Sequence, residues 1–256
     1  MKLLRTLTRT DHKSLPGRLL RLPLRLVPSG AVIRIPSGVN KGFRWVCGSS
    51  IQRCWFGTYE MEKQDFVARA VRPGMTVWDV GANVGFYTLA FARLVGGAGS
   101  VYAFEPMAAN VAYLLRHVEM NGLINVKIIQ TALGGSDEIV GFSATRASSQ
   151  GSVTDRGRNY LIPAMTPGNF LKTFPESLPH LIKLDIEGAE GAVLAAAEPL
   201  LVEHSPDILL ALHGREQEEK CRALLTRIGY RLFYTDGAEV SGELVSDEIF
   251  ATRRSL

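Results

Sequence analysis

Carboxylates two residues apart at the end of an extended run point to the same side. The chain has such a pair, Asp185 and Glu187, directly after the apolar run at 181–184. A pair of this kind can share a proton, position a hydroxyl or take up a divalent ion, so it is also a candidate metal site. His213, which closes the apolar run at 207–213, is a candidate general base. A histidine merely satisfied at a strand end is the competing reading.

A second group of residues is suited to binding. Residues 77–85 read VWDVGANVG. Gly81 and Gly85 let a ligand approach the backbone because neither has a Cβ. Asn83 can hold the turn through side-chain-to-backbone bonds, with Ala82 beside it. Glu105 and Pro106 end the next apolar run, about 20 residues past the turn, where a carboxylate can accept hydrogen bonds from an adenosyl ribose. Nicotinamide dinucleotides and S-adenosylmethionine both contain that ribose. A dinucleotide rests its pyrophosphate on the first helix N-terminus, and an anionic side chain nearby repels it. S-adenosylmethionine has an ammonium and a sulfonium against one carboxylate, and the strand-end Asp79 attracts that ammonium directly or through water. The glycine spacing is also G-x-x-x-G rather than G-x-G-x-x-G. S-adenosylmethionine is therefore the expected cofactor.

These residues need a frame that gathers strand ends. From residue 76 the pattern predicts strands at 76–80, 100–105, 126–131, 181–185 and 207–213, and closing strands at 230–235 and 248–253. Helices are expected at 59–70, 86–94, up to 121–122, at 189–202 and at 216–228. A short strand at 139–143 precedes a Ser/Gly-rich loop at 148–157. Apolar strands alternating with helices mean a parallel sheet covered on both faces. Such sheets bind ligands at the carboxyl ends of their strands.

Composition sets the bounds. With 46% hydrophobic and 21% charged residues in 256, disordered and collagen-like classes are excluded. No run of 18 apolar residues is present, which excludes a helical membrane span. Cys47, Cys54 and Cys221 are odd in number and lack metal-ligand spacing; with no secretory leader they suggest a reducing, cytoplasmic setting. Charge is uneven. Residues 1–58 carry eleven Lys or Arg and one acid, a net +10, whereas the remainder has 18 basic and 24 acidic residues, a net −6. Two regions follow: a basic N-terminal arm with short strands or loop at 1–58, and a domain at 59–256 that carries the motifs. In residues 1–30, Leu and Arg interleave and Pro16, Pro23 and Pro28 break any helix. This stretch reads either as a basic foot for acidic lipid or nucleic acid, giving peripheral membrane contact, or as an arm packed on the domain.

VWDVGANVG at 77–85, VYAFEP at 101–106, TALG at 131–134 and IKLDIEGAEGAVL at 182–194 together resemble the FkbM-type family of S-adenosylmethionine-dependent methyltransferases. WFGTYEMEKQ at 55–64 and GYRLF at 229–233 also fit, so the resemblance covers about residues 41–254. It implies an α/β, Rossmann-like class I methyltransferase, with a mainly parallel seven-stranded sheet, helices on both faces and an antiparallel last strand. It also implies methyl transfer to a hydroxyl of a sugar, glycan, glycolipid or natural product. Carried over by position, Asp79, Gly81, Ala82, Asn83 and Gly85 line the methionine and ribose part, Glu105 with Pro106 holds the ribose, and Thr131 and Ala132 sit near the adenine. Asp185 and Glu187 face the transferred methyl. Two positions depart from the family pattern: Thr166-Pro167-Gly168 stands before the fourth strand, and Ala211 replaces the acid of a Glu-x-His ending.

The fourth strand is followed by Asp185-Ile186-Glu187-Gly188 rather than the Asn- or Asp-Pro-Pro-aromatic run of base and amide methylation, and no cysteine lies near it. Nucleic-acid base methylation is disfavoured, although the basic leader keeps RNA ribose methylation as a remote alternative. The alternative from another class is a non-catalytic adenosyl-ligand or nucleic-acid binding module anchored by the basic arm. A nicotinamide oxidoreductase is disfavoured by Asp79 and by the expected lack of a Tyr-x-x-x-Lys pair suited to hydride chemistry.

Overall fold

The computed structural model describes residues 27–144, 151–153 and 160–254. The readings for the arm at 1–26 and for most of the loop at 148–157 lie outside the described residues. The described chain opens with β1 (Val32–Arg34), β2 (Arg44–Val46), α1 (Gln52–Phe56) and α2 (Met61–Ala70). The domain then alternates β3 (Thr76–Val80), α3 (Phe86–Val95), β4 (Ser100–Phe104), α4 (Ala108–Met120) and β5 (Val126–Ile129). A small sheet follows, made of β6 (Ala132–Leu133), β7 (Glu138–Ala144), β8 (Gly151–Val153) and β9 (Tyr160–Met165), before α5 (Pro167–Thr173). The chain ends with β10 (Leu181–Leu184), α6 (Glu190–His204), β11 (Asp207–Ala211), α7 (Arg215–Arg227), β12 (Arg231–Phe233) and β13 (Glu248–Thr252).

Seven strands form the main sheet in the order β12-β13-β11-β10-β3-β4-β5. Strands β11, β10, β3, β4 and β5 pair in parallel, and β13 is antiparallel to both its neighbours. The expected doubly wound sheet with an antiparallel last strand is therefore present. Strand order reverses between β3 and β10, so the crevice for a ligand opens where those two strands end. The second sheet, β6-β9-β7-β8, goes beyond the sequence reading, which placed only a short strand here. Its β9 alternates buried Ile162 and Ala164 with exposed Leu161 and Pro163, a period of two that a proline had masked.

α3 is buried nearly all round, including Phe86, Leu89, Ala90, Phe91 and Val95. A helix of that kind needs cover on both sides. The sheet covers one side and the N-terminal segment the other: Trp45 meets Phe86 edge-on at 6.1 Å, and Asn40 Nδ2 donates to Phe86 O at 2.7 Å. Residues 27–58 thus belong to the same core as β3 and β4. No helix among the described residues is long and apolar enough to cross a membrane.

His117 ties this cover down. Its ring stacks on Trp45 at 3.9 Å, Nε2 accepts from Val46 N–H at 3.0 Å and Nδ1 meets Val84 O at 2.8 Å. Only the neutral Nδ1–H tautomer satisfies both contacts. Burial pushes its pKa down to about 4 from an ordinary 6.5. The unfolded chain therefore binds this proton first, so the stability due to the neutral ring is complete above pH 6.5 and is lost as pH falls towards 4. Chemical denaturation is expected to show a decline of roughly 3 kcal/mol over that window from this group. His117→Gln should be less stable at neutral pH and lack that part of the slope; equal slopes in both proteins would refute the assignment.

Candidate active site

A cavity of about 460 Å3 lies at the ends of β3, β4, β5 and β10 and extends to His213 and Glu248. That volume is ordinary for a small-molecule site. Its walls include Gly81, Ala82, Asn83, Glu105, Pro106, Thr131, Ala132, Asp185, Glu187 and His213, so the structure gathers ten of the twelve predicted site residues. Asp79 and Gly85 do not line it.

The glycine turn satisfies its own backbone. The N–H groups of Gly81 and Ala82 both donate to Phe104 O, Asn83 N–H donates to Glu105 Oε2, Val84 N–H to Asn83 Oδ1 and Gly85 N–H to Ala82 O. None of the five is left to cradle a pyrophosphate, which disfavours a dinucleotide on stronger grounds than side-chain charge. Gly81, at φ +77°, has a further role: a Cβ there would stand 1.9 Å from Asp185 O, so its absence lets the ends of β3 and β10 close together. Gly85, at φ +96°, instead makes room for Leu114 as α3 begins.

Asp79 corrects the charge argument made from the sequence. It is fully buried, and Lys183 Nζ stands 3.1 Å from its Oδ1 while Thr88 Oγ1 donates to Oδ2 at 2.6 Å. The cause is register. Asp79 and Lys183 are partners across β3 and β10, so both side chains leave the sheet on one face. The charge that was assigned to a ligand ammonium is matched inside the protein.

Glu105 is buried to 5% exposure, and Asn83 N–H, Met107 N–H and Asn110 Nδ2 hold its carboxylate at 2.8, 2.9 and 3.1 Å. Burial raises its pKa, and these three donors work against that rise. They fill three of roughly four acceptor positions, which aims the carboxylate and leaves capacity for a hydroxyl donor. Thr131 lines the cavity but spends its hydroxyl on Pro163 O at 2.7 Å, joining the two sheets, so Ala132 and the strand end shape that wall instead.

Asp185 and Glu187 do come together, although not as two residues of an extended strand. Glu187 takes φ +59° and Gly188 φ +109°, a tight turn after β10. His213 stands against both: Nε2 is 3.8 Å from Asp185 Oδ1 and 3.6 Å from Glu187 Oε2. Its Nδ1 lies 2.7 Å from Oε1 of Glu190, which also accepts Gly188 N–H at 3.0 Å. Glu190 is fully buried, and its Oε2 has no hydrogen-bond partner among the described residues. A buried carboxylate so placed favours a proton on the imidazole. The hydrogen bond to Glu190 raises the His213 pKa, burial opposes this, and Glu187 and Asp185 add to the rise. The two strand-end carboxylates diverge. Burial would raise Asp185, but Lys183, Lys63 and His213 outweigh it and hold it low, whereas burial leaves Glu187 raised.

Lys63 reaches in from α2. Although only 3% exposed, it lies 2.5 Å from Glu248 Oε1, 3.2 Å from Glu60 Oε2 and 3.8 Å from Asp185 Oδ2. Burial alone would lower its pKa, and these three carboxylates together raise it. Glu248 is the register partner of Ala211, so it brings a carboxylate to the face where the family pattern has its missing acid. Tyr59 and Lys63 also have Tyr-x-x-x-Lys spacing, but burial and Glu60 push the Tyr59 hydroxyl far up, the opposite of what proton relay to a hydride site needs. Lys63, Lys183, Glu190 and Glu248 join the site beyond the residues expected from the sequence. A lysine inside the apolar run 181–184 was a signal for the second of these; Glu248 gave none.

The model of the FkbM methyltransferase domain matches residues 79–232. Ribosomal protein L11 methyltransferase of Caldanaerobacter subterraneus subsp. tengcongensis is 27% identical over 176 residues, 68% of this chain and 50% of that protein. The chain thus spans half the length of this curated relative. Among solved structures, an FkbM methyltransferase of Methylobacillus flagellatus superposes with a TM-score of 0.49 at 16% identity, covering 81% of this chain and 56% of the other. A SAM-dependent O-methyltransferase of Thermotoga maritima gives 0.49 at 16% identity, with 93% and 82% covered.

Proposed function

This chain belongs to the FkbM methyltransferase family, and on that premise we propose that it is an S-adenosylmethionine-dependent O-methyltransferase acting on a hydroxyl of a sugar unit, glycolipid or natural product. The observation that carries the hydroxyl acceptor is His213, held by buried Glu190 at Nδ1 and set with Nε2 beside Asp185 and Glu187. A hydroxyl is a weak nucleophile until its proton leaves, and an oriented imidazole is suited to take that proton. The resulting imidazolium is stabilised by three carboxylates.

The cavity fits the cofactor. Glu105, aimed by Asn83 and Asn110, has acceptor capacity for a ribose hydroxyl; Pro106, Met107, Ala132 and Leu133 give apolar walls; the surrounding carboxylates suit a cationic ligand. Bound there, S-adenosylmethionine supplies an electrophilic methyl group on a sulfonium. The protein's part is to align the acceptor oxygen with that methyl, for which Asp185 and Glu187 are the positioning groups, and to hold the acceptor's proton on His213 Nε2.

A second reading keeps these residues and gives them a divalent ion. Asp185, Glu187 and His213 each offer one ligand atom, all within 4.8 Å of one another, and Glu190 would then orient the histidine ligand. Methylation of a base or amide nitrogen is disfavoured because Asp185-Ile186-Glu187-Gly188 lacks the proline run that positions such a nitrogen.

The test is methyl transfer from labelled S-adenosylmethionine, with products resolved by mass spectrometry, to parallel panels of hydroxylated sugars and glycolipids, amines and RNA. O-methyl products from the first panel are expected. Products only from amines or RNA would overturn the acceptor class, and cofactor binding without turnover on any panel would favour a non-catalytic module.

A further inference from the structure

Glu60 has a backbone that a glutamate does not choose. It precedes α2 at φ +43° and ψ +59°, in the left-handed region. Among the described residues only four non-glycines have positive φ: Glu60, Asn83, Glu187 and Ser205. Three of them line the same cavity. A strained backbone at a cavity wall persists where the surroundings enforce it and commonly marks a functional position.

Here the enforcement is visible. Glu60 Oε2 accepts from Tyr87 OH at 2.9 Å and pairs with Lys63 Nζ at 3.2 Å. Tyr87 lies in the first turn of α3, directly after the glycine turn whose Asn83 is bonded to Glu105. The Glu60 side chain remains 29% exposed, although its ion-pair partner is 3% exposed. The other carboxylates nearby are paired as well. Asp79 is buried against Lys183, Asp185 is shared between Lys183 and Lys63, and Glu248 stands 2.5 Å from Lys63. Two lysines thus meet four carboxylates, Asp79, Asp185, Glu60 and Glu248, which leaves formal negative charge at the cavity.

The cofactor reading leaves a cation without a receptor now that Asp79 is committed to Lys183. We infer that Glu60 is the residue that receives the ammonium of the cofactor's amino-acid moiety. This inference rests on the S-adenosylmethionine reading and adds to it a binding residue outside the sheet. It makes the turn that opens α2 part of the cofactor site.

The experiment is isothermal titration of wild type, Glu60→Gln and Glu60→Gly with two ligands, S-adenosylhomocysteine and methylthioadenosine. The first has the amino-acid ammonium and the second lacks it, while both have the adenosyl group. Glu60→Gln keeps an acceptor for Tyr87; Glu60→Gly relieves the positive φ and guards against a variant that fails for lack of folding. Both variants are expected to bind S-adenosylhomocysteine roughly tenfold to a hundredfold more weakly and methylthioadenosine as wild type does. Unchanged affinity for S-adenosylhomocysteine would overturn the inference, and so would an equal loss for both ligands, which would mean general damage to the cavity. Wild type binding neither ligand would overturn the cofactor reading and this inference with it.

Discussion

Asp79→Ala is expected to lower the unfolding free energy by about 3–5 kcal/mol, because it strands a buried cation. Lys183 is 3% exposed, and Asp79 is its closest carboxylate at 3.1 Å. Burial would lower the Lys183 pKa, and Asp79 and then Asp185 hold it above the ordinary lysine value. Without Asp79, Asp185 at 3.7 Å and the carbonyls of Gly81 and Val80 are what remain, and Thr88 loses its acceptor. For a chain of this size the melting midpoint should fall by roughly 10 °C. A compensating variant separates this from a loss of binding. Asp79→Leu combined with Lys183→Met removes both charges and should recover most of the lost stability, since a well-packed apolar pair can replace a buried ion pair at little cost. Unchanged stability in Asp79→Ala, together with lost affinity for S-adenosylhomocysteine, would instead restore Asp79 as a direct ligand of the cofactor.

That ion pair also shows how much the sequence disclosed. The runs at 76–80 and 181–184 were legible as buried parallel strands because burial on both faces demands continuous apolar residues. Each run nevertheless contains one charged residue, Asp79 or Lys183. Periodicity identifies each strand by itself, but only pairing register shows that these two charges face each other. The same limit applies to Glu190. An acid in the first turn of a helix is ordinarily a partner of the helix dipole, whereas the bond of Glu190 to His213, 23 residues away, depends on how α6 and β11 pack. Glu187 was placed near Asp185 by strand alternation, and the structure brings them together through a left-handed turn that glutamate rarely adopts. Local chemistry located the strand ends, while the pairing of charges was settled by register and packing.

His213→Ala is expected to cut turnover by roughly a hundredfold to ten-thousandfold, with S-adenosylhomocysteine affinity unchanged, once an acceptor from the hydroxyl panel is in hand. Truncating a residue that only fills a strand end would leave turnover nearly intact, and that result would refute the base. Glu190→Gln provides the sharper control, because it removes the negative charge behind the imidazole while keeping a hydrogen-bonding side chain. The Glu190 hydrogen bond raises the His213 pKa above an ordinary 6.5. As a base, His213 works only when proton-free, so the acid limb of kcat should lie above pH 6.5 in wild type and move to lower pH in Glu190→Gln. Stability shifts with the opposite sign. A raised folded pKa means that the His213–Glu190 pair stabilises fully below pH 6.5 and that this contribution fades as pH rises through the folded value. His117 behaves in reverse, since its pKa is depressed. The two histidines therefore separate in a pH series: Glu190→Gln should flatten the slope above 6.5 and leave the acid-side slope of His117 in place. Chelation decides between base and metal. If dialysis against a chelator leaves kcat and its acid limb where they were, His213 acts as the base. If turnover is abolished, and magnesium or manganese restores it in wild type but not in His213→Ala, the three residues serve as ligands.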